Sequence, residues 1–579
     1  MMYKFQESIP RVPLPRLEET CDRYLQIVAP LLSDIELAQT RAVVMDFQQG
    51  NGPELQRQLE MIVQSTNNSY LYQLVEESYL ENRFSLPINT NFGTVLSSPS
   101  ASSNPTRFAA NLIYKALKFY LKVKNRELEP DSDIYQKGFH PLCMVQYDNL
   151  FGTARIPGIK CDRIQRTINQ EHIVVIRRNV FYALHLIQGE KLATVDAIAH
   201  QLDWIIENTP PGSPALGALT ALPRAKWALL RSYIATLVPE NARSLAVLDS
   251  ALFVVCWDEI TPTEVEAASK NALHGDGRNR WFDKPLQLIF TSSGHSAINL
   301  EHTGFDGYTI MRFLATVNGD RQQQDEPVST ATAIECPPPL RLEWNLTHKL
   351  LEEIEQASTA VESLIAQNET CVLEFNQFGR DSIKQHNLSP DAVVQLSLQV
   401  AYARLHGEIA CTSETVHTRN FQYGRWEDVR VVTPESVRLI QAFTEAIPNQ
   451  ARYSALKLAV AAHVARQLAC KQGQGIERHL FALYTLARYQ DSVPGIFLDK
   501  AYTELFSQPV LCTSSLAAKM GLAVFCFGPV VSHGYGVGYL IGCDTITFCV
   551  TSKYRQTEKY IQHIRHCLSE MEELLITMS

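Results

Sequence analysis

Short apolar runs rich in β-branched and aromatic residues recur at Ala251–Trp257, Leu286–Thr291, Ala523–Phe527 and Thr545–Val550. Polar or glycine-bearing segments bound them, and each is shorter than a typical helix, so they predict buried strands. Elsewhere the apolar positions recur every three or four residues, which predicts helices. This holds from Leu17 to about Gln64, over Phe108–Leu121, over Tyr453–Cys470 and over Tyr560–Met578. In the last segment Ile561, Ile564, Leu568, Met571 and Leu575 fall on one face. Ser389-Pro390-Asp391 predicts the start of another long helix. Ser suits the N-cap, Pro the first turn, and Asp the positive end of the dipole. Residues 8–17 read SIPRVPLPRL; prolines at alternate positions fix φ and predict an extended surface arm. Ser97–Pro105 and Asn208–Pro223 read as loops, and the polar, proline-ended Asp320–Pro339 as the best linker. Helices and buried strands intermix, so the fold class is α/β or α+β.

Composition narrows the function classes. The 579 residues suggest two to four domains. A hydrophobic share of 45% excludes a disordered or collagen-like chain. The net charge is −9 and the pI about 6.0, which argues against sequence-independent nucleic-acid binding. The 13 cysteines are scattered without a C-x-x-C pair, so buried free thiols fit better than a metal cage or a redox dithiol. No apolar run approaches the ~18 residues of a membrane span. Prolines 10, 13 and 15 leave no room for a signal peptide, and Thr577-Met578-Ser579 is not the S-K-L address. The expected location is the cytoplasm.

The candidate chemistry lies at Glu301-His302-Thr303-Gly304-Phe305-Asp306-Gly307, just after the run 286–291 and the stretch 294–298. A histidine acting as a base needs a fixed tautomer and an orienting partner. Asp306, four residues on, is within reach if the backbone turns, and Gly307 lets the chain pass a tight position. Alone this motif is weak. It is joined by Ile9-Pro10-Arg11-Val12-Pro13-Leu14-Pro15, by Cys143–Tyr147 with Phe151–Gly158, and by Asn279–Lys284. Further on come Leu388–Asp391 with Gln399–Tyr402, then Glu414, Gly424-Arg425, and Phe527–Val531 with Gly534–Gly536. In this order and at these separations the blocks resemble the carnitine/choline acyltransferase family nearly end to end.

That resemblance implies an α/β fold of two similar acetyltransferase-like domains, each a mixed sheet plus helices, with an active-site tunnel between them. Residues 61–344 would carry the histidine; residues 1–60 and 345–579 would form the second domain. His302 would be the base that activates a hydroxyl acceptor against an acyl thioester, supported by Asp306 and Arg425. Ser514, in Leu511-Cys512-Thr513-Ser514, takes the place of the oxyanion-stabilising hydroxyl, with Cys512 where the family has a first serine. Arg380 and Lys384 stand where two lysines meet the phosphates of coenzyme A, and Asp391 follows on the same side. No tightly bound cofactor or metal is implied. The thioester is a substrate, carried by coenzyme A or by the phosphopantetheine of a carrier protein.

The acceptor side departs from the family. Arg478 keeps the carboxylate-binding arginine, but Ser413 stands for a tyrosine and Trp426 for a threonine. Losing two of three carboxylate partners weakens carnitine binding by several kcal/mol at ~1–3 kcal/mol per bond. Phe527 faces the acyl and acceptor region, and Phe525 stands where long-chain members tend to have glycine. Gly534–Gly538 is glycine-rich but lacks the setting of a dinucleotide loop, so it reads as a turn. The start on the opening arm and the end on the last helix suggest a domain cut from a larger chain. Some fungal reducing polyketide synthases carry such a domain to release their product onto a small hydroxyl compound. That role is the first expectation, ahead of a stand-alone carnitine acyltransferase and of an inactive thioester-binding pseudo-enzyme.

Overall fold

A computed structural model describes residues 1–97, 104–134, 136–318, 334, 336–445, 447–490 and 492–578. Most of the predicted linker 320–339 and of the loop 97–105 lies outside the described residues.

Two mixed sheets organise the chain. The eight-stranded sheet runs Leu340–Arg341, Val180–His185, His172–Arg177, Val254–Asp258, Leu286–Thr291, Ser296–Glu301, Asn91–Leu96, Leu522–Phe527. The six-stranded sheet runs Glu369–Phe375, Ile546–Ser552, Tyr535–Ile541, Leu511–Leu516, Thr412–His417, Trp426–Arg430. Taken from their first strands, both follow one pattern: two antiparallel pairings, two parallel, then antiparallel. The same run of strand directions thus occurs in both sheets. Strands 172–177, 254–258 and 286–291 are buried along their whole length, which is why the last two lie in continuous apolar runs of the sequence.

Helices cover the sheets. Pro390–His406 starts at Ser389, whose side chain accepts from the Ala392 amide, and stops at Gly407 with φ of 75°. The last helix, Thr557–Thr577, buries Ile561, Ile564, Leu568, Met571 and Leu575 as its periodicity predicts. The opening arm is extended, and its Pro10 carbonyl accepts from the Gln422 amide at 2.8 Å. It therefore braces the turn that leads into Arg425. Among the described residues no helix is long and apolar enough to cross a membrane.

The glycine run corrects the sequence expectation: residues 535–541 form a strand, not a turn. A Cβ on Gly538 would lie 2.2 Å from the Phe525 carbonyl oxygen, and one on Gly536 2.7 Å from that of Gly528. Only glycine lets this strand of the second sheet lie so close to the edge strand 522–527 of the first.

Candidate active site

His302 follows directly on the strand 296–301, and Arg425 directly precedes the strand 426–430. These two strands hold equivalent places in their sheets, so the sheet ends deliver the two residues to one spot. Asp306 opens the helix Gly307–Asn318, its carbonyl accepting from the Thr309 amide at 3.0 Å. Its carboxylate therefore sits at the favourable end of the helix dipole. Gly304 packs against Asn149, where a Cβ would come within 2.8 Å, and its carbonyl accepts from Asn149 Nδ2 at 2.7 Å.

Arg425 donates to both carboxylate oxygens of Asp306, Nε to Oδ2 at 2.9 Å and Nη2 to Oδ1 at 3.0 Å. It also donates to the carbonyls of Thr303 at 2.7 Å and His302 at 3.1 Å. Gln146 Nε2 adds a bond to Asp306 Oδ2 at 2.7 Å. Burial pushes the Asp306 carboxyl up, but Arg425 and these donors outweigh it and hold the pKa below the ordinary value. Asp306 Oδ1 lies 3.8 Å from His302 Nε2, close enough to stabilise a charged ring without a direct hydrogen bond. His302 Nδ1 faces Tyr79 Oη at 2.7 Å. The rings of Phe92, Tyr79 and Trp426 surround the imidazole at 5.1, 5.5 and 5.9 Å. Burial lowers its pKa below the ordinary value, so it is neutral near pH 7, while 26% of the side chain stays open. A neutral, partly open imidazole beside a fixed carboxylate can take a proton from a hydroxyl.

Arg155 ties this region together from below. It donates to the Tyr79 carbonyl at 2.6 Å, to Glu301 Oε1 at 3.0 Å and to Thr303 Oγ1 at 2.9 Å. Tyr79, Gln146 and Arg155 were not singled out from sequence. Gln146 and Arg155 lie inside the blocks that carry the family resemblance, 143–147 and 151–158, which is a signal in the sequence; Tyr79 carries none.

The acceptor-side residues separate. Trp426 lies against His302, and its ring is flanked by the guanidinium groups of Arg478 at 4.8 Å and Arg425 at 5.2 Å. Arg478 pairs with Glu477 at 2.5 Å and with Asp428 at 3.3 Å. Ser413 pairs with Arg430, whereas Trp426 pairs with His417. Four residues of strand separate them, roughly 13 Å. A serine at 413 is too short to cover that distance. Phe527 stands in a row with Phe525 at 5.6 Å and, beyond it, Phe92, which touches His302. Ser514 lies half-buried in the strand 511–516 with its backbone opposite Gly538.

The three predicted thioester residues have partners other than His302 or belong to other elements. Arg380 sits on the exposed short helix Arg380–Gln385, bonded to Asp381 at 2.8 Å and to Cys543 Sγ at 3.0 Å; Lys384 is exposed one turn on. Asp391 belongs to a polar cluster. Tyr539 Oη donates to its Oδ1 at 2.6 Å, and Gln467 Nε2 donates to its Oδ2 at 3.0 Å and to Glu414 Oε1 at 3.1 Å. Between the two carboxylates lies His463, 3.6 Å from Asp391 and 3.2 Å from Glu414. The ligand atoms of this trio lie within 4.8 Å of one another. With amide and hydroxyl donors already on the carboxylates, the arrangement suits an imidazolium better than a metal ion. Burial pushes the His463 ring down, but the carboxylates raise it to about 10. Its folded pKa thus exceeds the unfolded value of about 6.5. The stabilisation is complete below about 6.5 and is lost as pH rises through the folded value. The urea midpoint of the native chain should exceed that of His463→Gln most at pH 6, and the gap should narrow toward pH 10. A gap that widens with pH would mean a neutral ring.

The model of the family described as choline/carnitine O-acyltransferase matches residues 12–570. The mitochondrial carnitine O-palmitoyltransferase 2 of Xenopus tropicalis is 31% identical, covering 99% of this chain and 92% of the relative. The choline O-acetyltransferase of Danio rerio is 30% identical over 98% of this chain and 93% of the relative. The muscle isoform of human carnitine O-palmitoyltransferase 1 is 31% identical over 99% and 78%.

Proposed function

This chain belongs to the choline/carnitine O-acyltransferase family, and on that premise we propose that it moves an acyl group from a thioester to a small hydroxyl acceptor other than carnitine. His302 takes the acceptor's hydroxyl proton as the oxygen attacks the thioester carbonyl. Ser514 donates to the tetrahedral oxyanion. The C–S bond then breaks, and the leaving thiolate takes the proton from the imidazolium, so that no acyl-enzyme forms. Coenzyme A thioester is the donor, with Arg380, Lys384 and Asp391 on its side. A carrier-borne phosphopantetheine has the same reacting end, and release of a polyketide onto a polyol is the role that goes with it.

One observation carries the choice of acceptor. Arg478, the residue expected to clamp a carboxylate, is already paired with Glu477 and Asp428 and covered by Trp426. A neutral polyhydroxy acceptor needs hydrogen-bond partners but no free cation. The Phe525–Phe527 row favours a short or bent acyl group over a straight long chain. The test is competition between equal glycerol and L-carnitine for one acyl-coenzyme A, with products counted early by mass spectrometry. Glycerol ester should be at least as abundant as acylcarnitine, and Trp426→Thr with Ser413→Tyr should shift the ratio toward carnitine. Predominant acylcarnitine in the native enzyme would overturn the acceptor assignment. Absence of any ester with any acceptor would favour the pseudo-enzyme.

Ser514→Ala tests the oxyanion assignment. It should lower kcat about 10²-fold with little change in KM, because the lost bond forms in the transition state. A change confined to KM would make Ser514 a ground-state contact.

A further inference from the structure

A histidine base works through whichever ring nitrogen the protein leaves free. In His302 the two nitrogens differ. Nδ1 has Tyr79 Oη at 2.7 Å, a full hydrogen bond. Nε2 has Asp306 Oδ1 at 3.8 Å, outside hydrogen-bond range. The Asp306 oxygens are moreover occupied by Arg425 and Gln146. Nε2 is therefore the nitrogen available to a substrate. To accept a proton it must carry none at rest, so the neutral ring must hold its hydrogen on Nδ1. That hydrogen points at Tyr79 Oη, which has lone pairs to receive it.

We propose that Tyr79 is a positioning residue that fixes the tautomer of His302, accepting a hydrogen bond from Nδ1–H and so keeping Nε2 bare for the acceptor's proton. The inference rests on His302 being the base. When Nε2 takes the proton, the ring becomes an imidazolium and its Nδ1–H is a stronger donor to the same oxygen. Tyr79 neither gains nor loses a proton. Burial raises its phenol well above the usual range, so it stays neutral throughout.

The phenol is held for this task. The main-chain carbonyl of Tyr79 accepts from Arg155, whose other amino group binds Glu301 and Thr303 on either side of His302. One buried guanidinium thereby sets the helix Tyr70–Glu81 and the histidine strand in common register. The Tyr79 ring also rests against Trp426 at 5.7 Å and Arg425 at 5.6 Å. The opposite bond, with Tyr79 donating to Nδ1, would put the hydrogen on Nε2 and leave the histidine without a basic atom toward the substrate. Removal of the hydroxyl would then free the ring and raise turnover.

The experiment is nitrogen-15 NMR of the full chain labelled at histidine, with His302 assigned by difference from His302→Ala, together with the kinetics of Tyr79→Phe. In the native protein at pH 8, Nδ1 should show the shift of a protonated nitrogen and Nε2 that of a bare one. In Tyr79→Phe the two shifts should move toward each other as the tautomers mix. Its kcat should fall about tenfold, as for a lost hydrogen bond to a charged group, with KM for acetyl-coenzyme A unchanged. A native Nε2 that carries the proton, or a Tyr79→Phe enzyme with native shifts and native kcat, would overturn the proposal. If His302→Ala alone abolishes transfer, such a result removes only the role of Tyr79. If His302→Ala keeps its activity, the base assignment itself falls.

Discussion

Replacing His302 by alanine should reduce acyl transfer by about 10²–10⁴-fold, the usual contribution of a positioned base. The fold should survive, because the imidazole makes one hydrogen bond and packs beside an opening instead of filling the core. The neighbouring ties of Arg155 and Arg425 run to the backbone and to acidic side chains, and they outlast the ring. Residual transfer would come from holding thioester and acceptor together. In the native enzyme the rate should fall as acid protonates His302, with a midpoint below about 6.5, since burial lowers its pKa. Rates of ester formation from pH 5 to 9, with circular dichroism of the variant, check both points. Near-native turnover in a folded His302→Ala protein would show that another group takes the proton.

Asp306→Ala should be the more damaging change to the protein itself. It leaves the buried guanidinium of Arg425 without its carboxylate, with only the carbonyls of Thr303 and His302 and the rings of Tyr79 and Trp426 around it. Breaking one side of a buried pair typically lowers stability by about 3–5 kcal/mol. Asp306 also lies beside Nε2, so a loss of activity should accompany the loss of stability. Because the carboxyl pKa is depressed on folding, its stabilisation is present above the unfolded value of about 3.9 and is lost as pH falls through the folded value. Urea unfolding at pH 7 measures the effect. The double variant Asp306→Ala, Arg425→Met removes the stranded charge and should recover part of the stability. A single variant within 1 kcal/mol of native would mean that water reaches Arg425.

Much of this was legible in the residues. Apolar runs at 286–291 and 523–527 became strands to within a residue, since burial on both faces leaves a continuous signal. The His302–Asp306 spacing was local, and so was visible. What escaped was non-local. Tyr79 meets His302 across 223 positions of sequence, and Arg155 meets Glu301 across 146. No periodicity connects such segments. The glycines at 534–538 misled for a related reason: glycine weakens an isolated strand, and here the neighbour that demands it is the Phe525 carbonyl.

That close approach governs how the molecule comes apart. The segment 522–527 lies in sequence between two strands of the six-stranded sheet, yet it hydrogen-bonds at the edge of the eight-stranded one. Thr551 of the second sheet donates to its Phe527 carbonyl at 2.7 Å, and Thr94 of the first to its Val524 carbonyl at 2.8 Å. A strand sewn into both sheets leaves no seam along which one could melt while the other stays. Despite its length the chain should therefore denature as one cooperative unit, with fluorescence and circular dichroism tracing a single coincident transition.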